Sequence, residues 1–424
     1  MGFFGRKRAP SVPHPRKEPR FDGPLTLKRL EQIFQDCVDF TKRPVSLGEG
    51  GACTLTLCYL SGMVKMERVS DYVLRPLAQD EALARCGTPR QAMDRMKDGA
   101  LYNLSAEERT RLDAAVFDLV NGCCLLLFPG ESSVLSLNVG TEEKRSISSP
   151  SNETVLKGSR DAFVESLRTN TSIVRRHLKA PELRIREQVV GRQSVTSVDI
   201  LYIEGLTNPH LVEQVAAQLA DIDIDAVLAT GNIEEYIVPA ARTAFPLVQY
   251  TERSDRFCAG LAEGRVGILI DGLPLGYLAP GVLGDFLQAP QDKSESWLLA
   301  SALTLLRYLC MLGTLLLPAL YVAMVTFHQE MIPTRLALSI IAAKQDVPFR
   351  SVFEVIVLLL AFEILQEAGL RLPQSIGQTV SIIGGLVVGS AAVEAKIISP
   401  AVLIVVAIAG IAGYTMPSQE VVAA

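Results

Sequence analysis

The stretch YLCMLGTLLLPALYVAMVTF, residues 308–327, holds 20 residues and no charge. A hydrocarbon layer about 30 Å thick is crossed by roughly 20 apolar helical residues, so this run predicts a membrane helix. Two more uncharged runs follow, 376–393 and 397–414, each of 18 residues. The first is rich in Gly and Ser. The second is opened by Ser399 and Pro400, a helix start. The competing reading is that these are buried core helices of a soluble protein. Three such runs within about 110 residues argue against it.

The rest of the chain reads differently. Of 424 residues, 49% are hydrophobic and 21% charged, with a net charge of −5. Up to Ser296 the sequence is ordinarily charged and alternates strand and helix patterns; from Trp297 onward charges are sparse. Residues 355–362 are apolar but flanked by Glu354, Glu363 and Glu367, so they span only if the glutamates lie in the bilayer or at its edges. Residues 336–343, after Pro333, suit a re-entrant or interfacial piece. The N-terminus carries Arg6, Lys7, Arg8, Arg16, Lys17 and Arg20 among Pro10, Pro13 and Pro15 with no apolar stretch behind, which reads as a basic disordered tail and not a secretory leader. A cytoplasmic soluble region is therefore expected. Arg335, Lys344 and Arg350 in one loop against Arg371 in the next leave loop charges undecided on orientation. The eight cysteines form no C-x-x-C pair, and Cys123–Cys124 on an apolar run read as free buried thiols.

The soluble region contains a repeat. A strand at 54–60 runs into Ser61–Gly62 and a helix over about 66–77, and a strand at 198–203 runs into Glu204–Gly205 and a helix over about 209–219. Gly62 and Gly205 lie 143 positions apart, while Gly130 and Gly272 lie 142 apart. Each of the latter pair follows a short apolar run, 124–128 or 266–270, in a hairpin signal, Pro129–Gly130 or Asp271–Gly272. Two duplicated strand–helix–hairpin α/β units are expected, joined by a helix over about 159–179. Gly62 and Gly205 fit neither dinucleotide nor P-loop spacing, so they read as turns. The expected layout is a tail over 1–24, a first α/β unit over 25–158, a connecting helix and second unit over 159–293, and an all-α multi-span membrane domain over 294–424.

Catalytic chemistry is not legible. His14, His177, His210 and His328 have no second ligand at metal spacing. Ser133 and Ser390 lack a nucleophile-elbow context. Asp221, Asp223 and Asp225 alternate without the Gly and Glu of a calcium loop and read as a solvated strand edge. Arg145, Arg168, Arg175 and Arg176 have no interleaved aromatics, so no nucleic acid partner is expected. No enzyme activity, cofactor or metal is expected. The membrane half carries more, because ionisable groups at membrane depth tend to face a bundle interior or a water-filled path. Arg307 sits at the entrance of the first span. Glu363, Glu354, Glu367 and Arg307 are the candidates for an ion path or buried polar role; Glu354 and Glu367 read first as headgroup caps, and Glu363 as a buried polar partner or pore-lining carboxylate. Gly385 and Gly389 form G-x-x-x-G, a helix-packing signal.

Several blocks resemble the A-subunit family of spore germination receptors, the GerA family. They include Tyr202–Ile203–Glu204–Gly205 with Asn208–Pro209, the segments 163–170 and 249–253, and Leu317–Pro318–Ala319–Leu320–Tyr321–Val322 through Met331–Ile332–Pro333–Thr334. Val347–Pro348–Phe349, Ile376–Gly377–Gln378 and 391–395 continue the likeness, which covers about residues 25 to 417. The resemblance implies a protein of the inner spore membrane that assembles with a transporter-like B subunit and a lipoprotein C subunit. It also implies response to nutrient germinants, homo-oligomerisation and a cation path. Within the family, the sporulation stage V AF-like branch would be an ion-conducting amplifier instead. From outside it, a secondary transporter or a non-conducting scaffold would differ in showing an inverted repeat or a lipid-exposed Glu363. Members continue past Pro417–Ser418 with further membrane helix and a tail, whereas this chain stops at Ala424. The expected membrane domain thus lacks the family's last helix.

Overall fold

A computed structural model describes residues 20–47, 54–84, 86, 88–101, 105–140, 159, 161–227, 235–237, 245–371 and 389–418. Residues 1–242 and 247–280 form one compact unit, and residues 243–246 and 281–424 a second.

The first unit holds two five-stranded antiparallel sheets. One contains β1 (Phe40–Ser46), β2 (Thr54–Leu60), β3 (Ala106–Arg109), β4 (Cys123–Leu127) and β5 (Val134–Asn138), in the order β1-β2-β4-β5-β3. The other contains β6 (Leu183–Val190), β7 (Thr196–Ile203), β8 (Gln249–Thr251), β9 (Val266–Ile270) and β10 (Gly276–Ala279), in the order β6-β7-β9-β10-β8. The order is the same, and so is the register. Moving Phe40↔Leu60 on by 143 residues gives Leu183↔Ile203. Moving Leu127↔Val134 on by 142 gives Leu269↔Gly276.

The central strands β4 and β9 are apolar along their whole length because both faces are covered. In β2, Leu55, Leu57 and Tyr59 join one core while Cys58 and Leu60 join another. The second of these cores is closed by α1 (Leu27–Ile33) and α2 (Leu112–Val120), through Leu30, Val116 and Leu119. The first is closed by helical turns from Met66 to Gln79, interrupted by a wider π turn over Ser70–Leu74. The second sheet is covered in the same way. Here α3 (Leu167–His177) and α5 (Ser254–Ala262) lie on one face and α4 (Pro209–Ala220) on the other. The connecting helix α3 is shorter than the expected 159–179, because Phe163 and Val164 enter as extended chain hydrogen-bonded at Glu252 and Asn170.

The repeat glycines share a backbone state that L side chains avoid. Gly62 and Gly205 have φ of +83° and +79°, and Gly130 and Gly272 have +82° and +84°. Residues 221–225 form no strand. Their backbone accepts hydrogen bonds from Arg192 and Gln193, and Asp223 pairs with Arg192 at 2.6 Å. Residues 1–19 of the expected tail lie outside the described residues, but Arg20 is tied at 3.1 Å to Glu182.

The two sheets are joined at the start of β1. Val38 donates to the Ile185 carbonyl and Ile185 to that of Asp36, so residues 36–38 cover the open edge of β6. Behind this seam Arg175 of α3 forks onto Asp39, Nε to Oδ2 at 2.8 Å and Nη2 to Oδ1 at 2.9 Å. Both side chains are buried.

In the second compact unit α6 (Trp297–Thr326) is long and apolar enough to cross a membrane, about 45 Å at 1.5 Å per residue. After it come α7 (Thr334–Lys344), α8 (Ser351–Arg371) and α9 (Pro400–Gly413). A core of Tyr321, Val355, Leu358, Ile398, Val402 and Val406 binds α6, α8 and α9 together. At 14 residues α9 is shorter than a span, and most of the run 376–393 lies outside the described residues.

Removing one partner of the Arg175–Asp39 pair leaves a buried charge. Asp39→Ala is expected to lower stability by about 3–5 kcal/mol, whereas Asp39→Leu with Arg175→Met comes back close to the parent. Chemical denaturation of the detergent-solubilised chain and both variants checks this.

Candidate functional site

The polar residues expected at the membrane fall on opposite sides of α8. Glu354, expected as a headgroup cap or a buried polar residue, is 1% exposed. It precedes Val355 and lies one turn before Leu358, so it shares the face that packs on α6 and α9. Its Oε2 accepts the backbone N–H of Ser399 at 2.8 Å, at the N-terminus of α9, and its Oε1 lies 3.3 Å from Lys344 Nζ at the end of α7. An anion held by a helix N-terminus and an ammonium is electrostatically matched.

Glu363 is nine residues on, half a turn away in angle, and it is exposed among Ile356, Leu359, Leu360 and Ile364. Among the described residues it has no hydrogen bond or ion pair. Glu367 is exposed one turn further on. Arg307, the expected neutraliser of Glu363, is taken by Asp292 in a two-point ion pair, with Nη2 to Oδ1 at 3.0 Å, and also donates to the Leu287 carbonyl. Gly389 is buried, and a methyl group placed on it would meet Leu403 Cδ1 at 3.3 Å. It serves close packing within the chain, and Gly385 lies outside the described residues.

The alternation that buries β7 in the other unit carries an unexpected carboxylate. Asp199 is fully buried on the face toward α3, opposite Glu187 of β6, with Arg168 Nη1 3.5 Å from Oδ2. Neither of its oxygens receives a hydrogen bond among the described residues. Burial pushes the carboxyl up to about 7 against the pull of Arg168, with Glu187, Asp39 and Asp271 adding to the rise. A charge inside the apolar run Val198–Asp199–Ile200–Leu201 was the signal available for it. Burial likewise raises the Cys58 thiol to about 12 and that of Cys124 further, so both are inert. His177 meets Ser254 Oγ at 3.1 Å. Among the described residues no cluster of three or more His, Cys, Asp or Glu could hold a metal.

The profile of the family described as Bacillus/Clostridium GerA spore germination protein matches residues 28–424. The chain belongs to the GerA family. An uncharacterized membrane protein of Bacillus subtilis (strain 168), YfkQ, is 37% identical over 391 residues, 92% of this chain and 75% of that protein. Spore germination protein KA of the same strain is 37% identical over 380 residues, 90% of this chain and 69% of that protein. The crystal structure of the N-terminal domain of the A subunit of the Bacillus megaterium spore germinant receptor GerK3 is similar over 62% of this chain and 99% of that one. That likeness has 26% identity and a TM-score of 0.49. Membership gives this GerA-family chain a role in spore germination, and α6 together with the relative named as a membrane protein indicates membrane association.

Asp199 gives the GerA-family chain a pH dependence whose sign is fixed. The native state keeps its proton up to about 7 while an unfolded aspartate releases it near 4, so this group's contribution to stability falls as pH rises between those values. Asp199→Asn should flatten that slope and raise stability at the alkaline end. Thermal unfolding across the window, parent against variant, decides; parallel slopes would contradict the assignment.

Proposed function

We propose that this chain is a membrane subunit of a nutrient-germinant receptor in the inner membrane of bacterial spores. Copies assemble around a germinant-gated cation path, in company with a transporter-like B subunit and a lipoprotein C subunit, and the α/β unit lies in the cytoplasm. Family membership supports the germination role, and helices such as α6 and α8 supply the apolar surface that lipid or neighbouring copies cover.

The exposed Glu363 carries the path reading. A carboxylate facing hydrocarbon costs on the order of 3 kcal/mol or more. On α8 it stands on an apolar face with no partner of its own among the described residues, so water or a second copy must answer that cost. A ring of such carboxylates in an oligomer favours cations over anions. Arg307, occupied by Asp292, is not free to neutralise it.

Glu363→Gln is therefore expected to slow cation release from nutrient-triggered spores several-fold while protein abundance and oligomer size stay at parental levels. Parental release at parental abundance would leave Glu363 on a lipid-facing scaffold and defeat the reading.

A further inference from the structure

The buried end of the helical core carries oxygens that the described residues leave without a hydrogen-bond donor. Glu354 Oε1, Ser399 Oγ and Tyr321 Oη are each shielded from solvent and lack a hydrogen-bond partner among the described residues. They belong to one region of the core, because Ser399 N–H donates to Glu354 Oε2 and Tyr321 packs with Val355 and Ile398, the chain neighbours of Glu354 and Ser399. Ser351, also buried, accepts a hydrogen bond from Lys344 Nζ, and that ammonium is 3.3 Å from Glu354 Oε1. Glu354 and Ser351 of α8 thus meet the ammonium reaching in from the end of α7, with Ser399 at the start of α9 bonded to the same carboxylate and Tyr321 of α6 in the core beside it. Buried polar atoms in folded proteins are almost always paired, so such a group needs an occupant.

We propose that Glu354, Ser351, Ser399 and Tyr321 line a site for one monovalent cation, and that the Lys344 ammonium is its tethered occupant. An ammonium and a potassium ion are of similar size, and both are satisfied by oxygen atoms. One carboxylate with three neutral hydroxyls matches a single positive charge, whereas a divalent ion calls for more carboxylates. A cation is also required electrically. If Lys344 withdraws with nothing in its place, Glu354 becomes a buried charge held only by the Ser399 N–H. Withdrawal is open to it, since its side chain is 26% exposed while that of Glu354 is wholly enclosed. Tyr321 stands 24 residues along α6 from Trp297, about 36 Å, so the site sits at the far end of that helix, where a lysine stem reaches headgroups and water. The proposal rests on these residues alone and not on the ion path through Glu363.

The test uses the full chain in detergent, with unfolding temperature as readout, in potassium, sodium or choline chloride at equal ionic strength. Lys344→Gln and Lys344→Met should accumulate, because cells supply potassium. Both should melt several degrees higher in potassium than in choline, rising with the logarithm of concentration, while the parent responds at most slightly. Lys344→Gln combined with Glu354→Gln should lose the response. Three results would overturn the proposal. One is the same melting temperature in all three salts, which leaves the oxygens to water. The second is a response that survives in the double variant. The third is failure of both single variants to accumulate while the double variant does, which makes Lys344 a plain structural partner. Spore germination enters none of these readouts, so the site and the path can fail separately.

Discussion

The buried fork of Arg175 onto Asp39 is the contact on which the α/β unit depends. Asp39 sits where α1 gives way to β1, and Arg175 lies in the last turn of α3, which roofs the other sheet. The pair therefore fixes one sheet's first strand against the other sheet's covering helix. The neighbouring contacts need that placement. Residues 36–38 can cover β6 only if the chain leaves α1 at that height, and Arg184 reaches the Ile33 carbonyl only from a β6 held there. Gly62 belongs to the same seam, with the space for a side chain filled by Ser172 Cβ at 3.1 Å.

The helical unit sorts its carboxylates by angle. Glu354 and Glu363 share one helix, yet the first is turned into a matched polar cluster and the second outward among leucines and isoleucines. A single helix thus carries an internal carboxylate with partners and an external one that has none among the described residues. The two call for different explanations, and that of Glu354 is local to this core.

Much of the α/β region is legible in the sequence, and the reason is particular. The runs 54–60 and 266–270 are short, apolar on both faces, and followed by glycines whose positive φ is compulsory, so both the strands and their ends leave a mark. The helical stretch over 66–79 is legible as well, but not the π turn inside it, which shifts the apolar spacing away from 3.6. For Glu354 the sequence leaves a headgroup cap and a buried polar role both open, because it stands at a segment's end yet one residue from the core position Val355. Its partners Lys344 and Ser399 come from two other elements, a convergence no local pattern encodes. The single charge in β7 is visible in the sequence, but its burial depends on α3 packing above it.

The matching register of the two sheets has a consequence for how the chain folds. Strands that fit one sheet have the spacing to fit the other, so β1 competes with β6 for the same edge of β7, and large chains with interchangeable parts are prone to such misassembly. Sheet identity must then come from the side chains that break the repeat. Where β6 places Glu187 opposite Asp199 with Arg168 beside both, β1 would bring Pro44, which can accept in a ladder but not donate. The Arg168–Glu187 pair beside that buried carboxylate thereby helps mark its own sheet, and a proofreading task falls to charge where shape alone is ambiguous.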